Sequence, residues 1–594
     1  MKRSPTIAIV ALILASSSGF WLRNGSCTTT VTVEGKTGSQ SLFLSDLISL
    51  LYVEGFSSYQ NRLENWRGHG VYVGVQISSL VELVGGMSPG DTVIVYAEDG
   101  YNQTYCYNNV YNTWSDDEIQ GDMLLAFSYN ETLVPDWADG LQIAFLPPDG
   151  GYSNLDRNQT SSLDQQGPSA GERWMKNVSR IVVESASWAV ALVRGDYSIT
   201  YGDQQITLLP NVTLPGAYKK TTGEIVGPDN YTGVELPYLL QSVNGLASNE
   251  SLFVNARDNY NLTYTHQQVT GNETVTMILA YLQGGVELSP SSIPKIAFVG
   301  PDSPVTDGHL WTKQVCLIEI KIAVKEYTLN LTGAISMQMD RTTFESGVNC
   351  HKRLYNDEGQ IYEGIALWRL LGFVDDSAPE GFHDFNDHLN YTVTVGASDG
   401  YNKTFSFSTV ARNDSIIVAN TLNGEILAEM LPPLKLAGKL LNSEKIKGVS
   451  FILINDITPP TIADVSQRPP KENVQPNDIV EISVRVADDI KEVKKVTLNY
   501  TTGNGTWFAV MMVNSVSNYF NATIPSFQNG TSIVYVIIAE DNSGNSVATE
   551  ELGLNFQYTV IPEFPSTTML ALLALITLFV ATVIQGPKAS RKRD

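Results

Sequence analysis

Basic residues, histidine and cysteine are all scarce in this chain of 594 residues. Lys and Arg number 38 against 62 Asp and Glu, giving a formal net charge of −24. Binding to nucleic acid depends on basic surface that neutralises phosphates, so the balance argues against a nucleic-acid partner. Cysteine occurs four times, as Cys27, Cys106, Cys316 and Cys350. Four thiols allow three full pairings, but they cannot serve as the scaffold of a chain this long. None of the six histidines stands in a standard zinc spacing with them. Charged residues make up only 17% while hydrophobic residues reach 43%, which excludes a disordered polymer and leaves a globular chain. The length suits about four domains.

Long apolar runs are confined to the two ends. Lys2 and Arg3 precede "TIAIVALILA" (Thr6–Ala15) and then small residues, the layout of a secretory signal peptide or N-terminal anchor over 1–26. At the other end Ser566–Gln585 carries no charge and predicts a transmembrane helix. The basic tail 586–594, with Lys588, Arg591, Lys592 and Arg593, places that end inside. The expected location is therefore the cell membrane, single-pass, with the large N-terminal region extracellular. Eighteen Asn-x-Ser/Thr sites fit a glycoprotein of the cell surface.

Between the ends one short stretch occurs three times. "AEDGYNQTYCY" begins at Ala97, "ARDNYNLTYTH" at Ala256 and "ASDGYNKTFSF" at Ala397. Asp-Gly or Asp-Asn between alternating apolar residues predicts a hairpin with a two-residue type I′ turn. Each copy sets a glycosylation candidate just after the turn: Asn102, Asn261 and Asn402. A Tyr-x-Gly and a short amphipathic helix precede each hairpin, at Tyr72, Tyr231 and Tyr362. An apolar strand and a Lys-led closing strand follow each time, the latter from Lys176, Lys313 and Lys447. Tandem repeats over 27–187, 194–322 and 324–455 account for this order. Within the first, Gly150–Glu172 is polar and predicts a long surface loop. "DITPP" (Asp456–Pro460) then opens a region of short alternating strands, 456–560, that resembles immunoglobulin-like or fibronectin-like β-sandwiches. Residues 561–565 link it to the apolar end, and "IPEFPS" resembles the C-terminal anchoring tails of archaeal surface proteins.

The helix-opening "LSDLISLL", the Tyr/Trp-x-Gly helix, the Asp-Gly-Tyr hairpin, "LQIAFLPP" and "ERWMKNVSRIVV" together resemble the oxidoreductase molybdopterin-binding domain of the sulfite oxidase superfamily. The resemblance implies a multi-domain α+β chain: three tandem repeats of that fold, then an all-β sandwich and a transmembrane helix. It also implies a cysteine ligand for molybdenum shortly before the Tyr/Trp-x-Gly helix. Fourteen residues before Gly74, Gly233 and Gly364 stand Gln60, Lys219 and Cys350, so only the third repeat has a thiol there. The cofactor segment His-Gly-x-Pro-x-Arg is absent; the first repeat has Trp137 to Gln142 in its place.

The expected function is non-catalytic: a membrane-anchored, glycosylated surface protein acting in binding, adhesion or envelope structure, toward a surface-layer component or extracellular ligand, without cofactor. Degenerate copies retain a fold while losing its chemistry. The alternative is a molybdopterin-dependent oxidoreductase with Cys350 as metal ligand and His351 and Arg353 beside the cofactor. A third class is a receptor that uses the groove the pterin would fill. One further cluster, His383 and His388 with Cys350, has the side chains of a zinc or copper site, although two histidines in a polar loop are more often simply solvated.

Overall fold

In the computed structural model, residues 29–376, 385–387, 389–562 and 566–584 are described. They divide into two units, Met1–Ala323 and Val324–Asp594. The first contains two successive modules and the second a third module followed by a β-sandwich.

Each module has the same two sheets. In the first module the five-stranded sheet runs Gly38–Phe43, Thr30–Gly35, Val178–Glu184, Thr92–Ala97, Asn102–Cys106. Its opening strand lies parallel to its closing strand, with Thr32 opposite Arg180, and every other pairing is antiparallel. The second module repeats this order with Ala191 opposite Leu317, and the third with Asn330 opposite Phe451. The second sheet is a long hairpin continued by two more strands. In the first module these are Val53–Gln60, Trp66–Gln76, Asp122–Tyr129 and Gln142–Leu146. The counterparts are Val212–Lys219, Ile225–Glu235, Thr276–Gln283 and Lys295–Val299, then Lys352–Asp357, Gln360–Ala366, Ile416–Leu422 and Lys435–Gly438. The opening strand of the second module starts at Ala189, before residue 194.

The Tyr-x-Gly motif has a packing cause. Gly74, Gly233 and Gly364 lie on the long hairpin at a register shift, facing Ala126, Ala280 and Ala419. A Cβ at any of them would run into the carbonyl of Leu125, Leu279 or Val418 on the next strand. Only glycine lets the two backbones approach. The tyrosine two residues earlier is buried in all three modules.

The α+β class is corrected by the element content: forty strands stand against eleven α-helices among the described residues, so the chain is predominantly β. The helices between strands are one or two turns long, except Arg341–His351 with eleven residues. Leu236, Leu239 and Leu240 have helical spacing, yet a four-residue helix, Leu236–Leu239, and a 3₁₀ turn satisfy it. Three apolar residues at that spacing cover less than two turns and do not specify a longer helix. The segment Gly150–Glu172 is likewise no exposed loop. Ser153 caps a helix over Asn154–Gln159, and Arg157, Thr160, Ser162 and Ala170 are buried.

The β-sandwich packs Thr461–Arg468, Val480–Ala487 and Tyr519–Ile524 against Trp507–Met511, Val493–Thr501 and Ser532–Asp541. Alternation sends Ile482, Val484, Val496, Leu498 and Ile537 into one core. Beyond it a helix spans Ser566–Ile584, with side chains described from Leu570 to Val580. Among the described residues no helix is long and apolar enough to cross a membrane. The transmembrane helix, the single-pass anchor and the cell-membrane location that rested on it are therefore not supported. The leader 1–26, residues 563–565 of the linker and the basic tail 586–594 lie outside the described residues.

Candidate ligand cleft and its counterparts in the three modules

The thrice-repeated hairpin turns by a route that differs from type I′. In the first module Ala97 N–H donates to Tyr101 O at 2.8 Å and Gly100 N–H to Ala97 O at 3.1 Å. One residue rather than two takes positive φ: Gly100 at 87°, Asn259 at 68° and Gly400 at 90°. This is a three-residue loop, a type I turn closed by a left-handed residue. The aspartate has its own task. Asp99, Asp258 and Asp399 accept the N–H of Tyr101, Tyr260 and Tyr401 at 2.9, 3.0 and 2.9 Å. The sequence signal Asp-Gly-Tyr thus encodes the acceptor, the left-handed residue and the tyrosine that projects from the turn.

That tyrosine separates the modules. Tyr260 Oη donates to His309 O at 2.7 Å, closing the space between the hairpin and the segment that leads into the closing strand. Tyr401 does the same to Ser443 O. The neighbouring bonds fix the correspondence: Tyr264 Oη donates to Leu310 O and Tyr105 Oη to Arg173 O, each at 2.7 Å. The first module's partner would therefore be Glu172, yet Tyr101 Oη accepts from Gln103 instead and its side chain is 48% exposed. A cleft of about 390 Å³ remains there, lined by Glu98, Asp99, Tyr101, Glu172, Trp174 and Lys176 among others. Lys176 is paired with Asp139 at 2.8 Å, so the cleft carries net negative charge. Trp174, 2% exposed, has an Nε1–H with no hydrogen-bond partner among the described residues. A buried orphan donor at a cleft wall is a group that a ligand oxygen could satisfy.

Behind the cleft the segment Gly150–Trp174, which the first module alone possesses, is held by two buried arginines. Arg173 donates to Ser161 Oγ at 3.0 Å and Asn109 Oδ1 at 2.9 Å, and its guanidinium lies 4.5 Å above the Tyr105 ring. Arg157 stands 3.7 Å from Glu172 Oε2. Burial pushes the Arg157 pKa down, and repulsion from Arg173 adds to it.

A second comparison concerns the residue that opens the strand beside Ala126, Ala280 and Ala419. It is Gln142, Lys295 and Lys435 in the three modules, buried each time. Aromatic trios surround this level of the sheet. Trp174 lies 4.8 Å from Tyr59 and 5.1 Å from Tyr72; Trp311 lies 5.1 Å from both Tyr218 and Tyr231. In the third module Lys445 takes the tryptophan's place and pairs with Asp357 at 2.8 Å.

Cys350 falls on the last turn of the helix Arg341–His351 and is exposed. It is not the counterpart of Gln60 and Lys219. Val53, Val212 and Arg353 are the residues opposite Gly74, Gly233 and Gly364, so Cys350 precedes its hairpin while Gln60 and Lys219 lie far along theirs. The third hairpin is shorter, and equal counting back crosses its turn. Arg353 is committed to Asp414 at 2.9 Å, and His351 titrates low because of burial and the cations Arg369 and Arg353. His383, His388 and Asp384 lie outside the described residues; Asp387 is bound by Arg412. Asn102 and Asn402 are exposed and Asn261 half-buried, all at the first position of the hairpin's second strand.

One group of carboxylates was not anticipated. Asp456, Asp488 and Asp541 meet where the third module passes into the sandwich, with oxygens within 4.8 Å of one another. Oxygen donors of this kind suit hard divalent cations. Each, however, caps its own loop: Asp456 accepts from Thr458, Asp488 from Ile490 and Lys491, Asp541 from Ser543 and Asn545. Burial pushes the Asp488 carboxyl up, with Asp456 and Asp541 adding repulsion.

No family model matches the chain, and no curated protein matches it. Among solved structures, the sulfane dehydrogenase SoxCD from Paracoccus pantotrophus is similar at 10% identity, over 60% of this chain and 68% of that one, with a TM-score of 0.20. A tetra-tandem repeat from the extending region of a large adhesion protein is similar at 8% identity over 86% and 98%, TM-score 0.16. The fibronectin(III)-like modules of CbhA from Clostridium thermocellum are similar at 12% identity over 36% and 90%, TM-score 0.15. At such TM-scores the sheet order above, rather than these likenesses, defines the modules.

Proposed function

We propose that this chain is a non-catalytic binding protein, adhesive or structural in use, whose ligand contact is the cleft of the first module. The observation that carries this reading is the single open hairpin: one tyrosine in three fails to reach the closing segment, and a cleft stands in its place. The three modules share one topology, and among the described residues many of their polar groups are spent on turns, caps and ion pairs. A fold copied and retained in this way is suited to presenting surfaces.

The chemistry of the cleft favours a polyhydroxylated ligand, a saccharide in particular. Carboxylates of Glu98, Asp99 and Glu172 accept hydroxyl protons, the Trp174 N–H offers a donor, and the half-exposed Tyr101 ring gives a face on which a sugar stacks. Glycans on Asn102 would rim the same hairpin. Binding of the full chain to a panel of neutral and amino-bearing oligosaccharides, measured by calorimetry, tests this. Affinity is expected to fall at least tenfold in Tyr101→Ala and in Glu172→Gln. Binding indifferent to both substitutions, or no saccharide bound, overturns the proposal. So does stoichiometric molybdenum in the purified chain that is lost in Cys350→Ser.

A further inference from the structure

Lys295 is the most unusual charged group in the second module. It opens the strand Lys295–Val299, is 3% exposed, and faces three aromatic rings: Trp311 at 4.5 Å, Tyr218 at 4.9 Å and Tyr231 at 5.1 Å from ring centre to Nζ. No carboxylate and no hydrogen-bond acceptor meets its amine among the described residues. The nearest ionic neighbour is another cation, Lys313, which is bridged to it through the backbone.

The equivalent positions show that the arrangement is particular to this module. Lys435 in the third donates to Tyr362 Oη at 2.6 Å, so its amine is held by a hydroxyl. Gln142 in the first carries no charge. In the second module the fold has placed an amine where nothing accepts from it and where a like charge stands beside it. Desolvation, then repulsion from Lys313, pushes the ammonium down to about 8. The ring faces favour the cation and act against this shift. A lysine desolvated among apolar walls, with a second cation alongside, is the environment that makes an amine nucleophilic near neutral pH.

We propose that Lys295 is a covalent capture site for small carbonyl compounds, its ε-amine condensing with an aldehyde to form an imine. The neutral amine's lone pair attacks the carbonyl carbon, forming a C–N bond as the C=O π pair moves to oxygen. The carbinolamine then loses that oxygen as water, taking one proton from nitrogen and one from solvent, which solvent recovers as the imine forms. No oxidant or metal enters. Tyr218 is half-buried, the most exposed of the three rings around the amine, and is the side from which a small planar aldehyde would enter. The other titratable groups facing the amine are Lys313, Tyr218 and Tyr231, and burial raises Tyr231 to about 12, so it stays neutral in this range. This capture is independent of the cleft in the first module.

The test uses the intact chain with glycolaldehyde and cyanoborohydride, which reduces any imine to a stable secondary amine located by peptide mass spectrometry. About a tenth of an amine titrating near 8 is neutral at pH 7, against well under a thousandth for an ordinary lysine. Lys295 is expected to be labelled at least tenfold faster than the exposed Lys313 and the tyrosine-bound Lys435 at pH 7. Its rate is expected to rise severalfold by pH 8 and level off above pH 9. Labelling of Lys313 ahead of Lys295, or a Lys295 rate that keeps rising tenfold per unit beyond pH 9, overturns the proposal. A Lys295→Arg chain, checked for folding by circular dichroism, should lose this adduct alone; an unchanged total of fast-labelled amine also overturns it.

Discussion

The first and second modules lie in one unit, share their strand pairings apart from the parallel edge strand Val305–Asp307 that the second adds, and differ in what fills the same places. Where the second closes its hairpin with Tyr260, the first leaves Tyr101 in solvent. Where the second has Leu310, the first has the buried Arg173; where the second cages Lys295, the first buries Gln142. The backbone register survives these exchanges because it is set by features both keep: the parallel first and last strands, and the glycine pressed against the neighbouring strand. A repeated fold of this kind tolerates variation in its polar interior provided the close backbone contacts are preserved.

The largest expected effect is on Arg173. Arg173→Ala would leave Ser161 Oγ without its donor, leave Asn109 Oδ1 with the Cys106 N–H but not the guanidinium, and open a void under Tyr105, costing the first module about 3–5 kcal/mol. Hydrogen exchange resolved by module should show the loss in the first module while the second keeps its protection. An equal loss in both would mean that the modules unfold together and the comparison fails.

Lys295→Met comes next, with opposite sign. The folded chain binds this proton less tightly than the unfolded chain, whose lysine titrates near 10.4. Stability from this group is therefore present above about 10.4 and is lost as pH falls through about 8. The methionine variant should be more stable at pH 7 by about 1–3 kcal/mol, and the rise in urea midpoint of the wild type between pH 8 and 10 should flatten. Gln142→Met in the first module should show no such pH dependence.

The smallest effect sharpens the hairpin contrast. Tyr260→Phe removes one hydrogen bond to a backbone carbonyl and is expected to cost about 1 kcal/mol in thermal denaturation. Tyr101→Phe, whose hydroxyl meets only Gln103 at the surface, should change stability by less than about 0.5 kcal/mol. Matching losses would mean that Tyr101 closes its module in solution.

Much of the fold was legible because the repeated signals are local. Asp-Gly-Tyr, Tyr-x-Gly and the Lys-led strands each reflect contacts within a few residues or one neighbouring strand. The turn type was not, since Asp-Gly suits both a two-residue and a three-residue loop; the Asp99 bond to Tyr101 decides between them. Helix content was overestimated because Leu236, Leu239 and Leu240 satisfy helical spacing within a single turn. Counting back to Cys350 failed because the third hairpin is shorter than the other two. The Lys295 cage draws its rings from three separate stretches, which no spacing rule connects. Its trace in the sequence is a lysine opening the otherwise apolar run "KIAFV".

In each module the strand that begins the fold is zipped beside the one that ends it, Thr32 waiting for Arg180 and Ala191 for Leu317. A chain emerging from a ribosome cannot complete any of these sheets until almost the whole module has been made. Assembly is therefore quantised: until its last strand arrives, each module presents the open edge of its first strand to whatever chaperone or neighbouring chain is at hand.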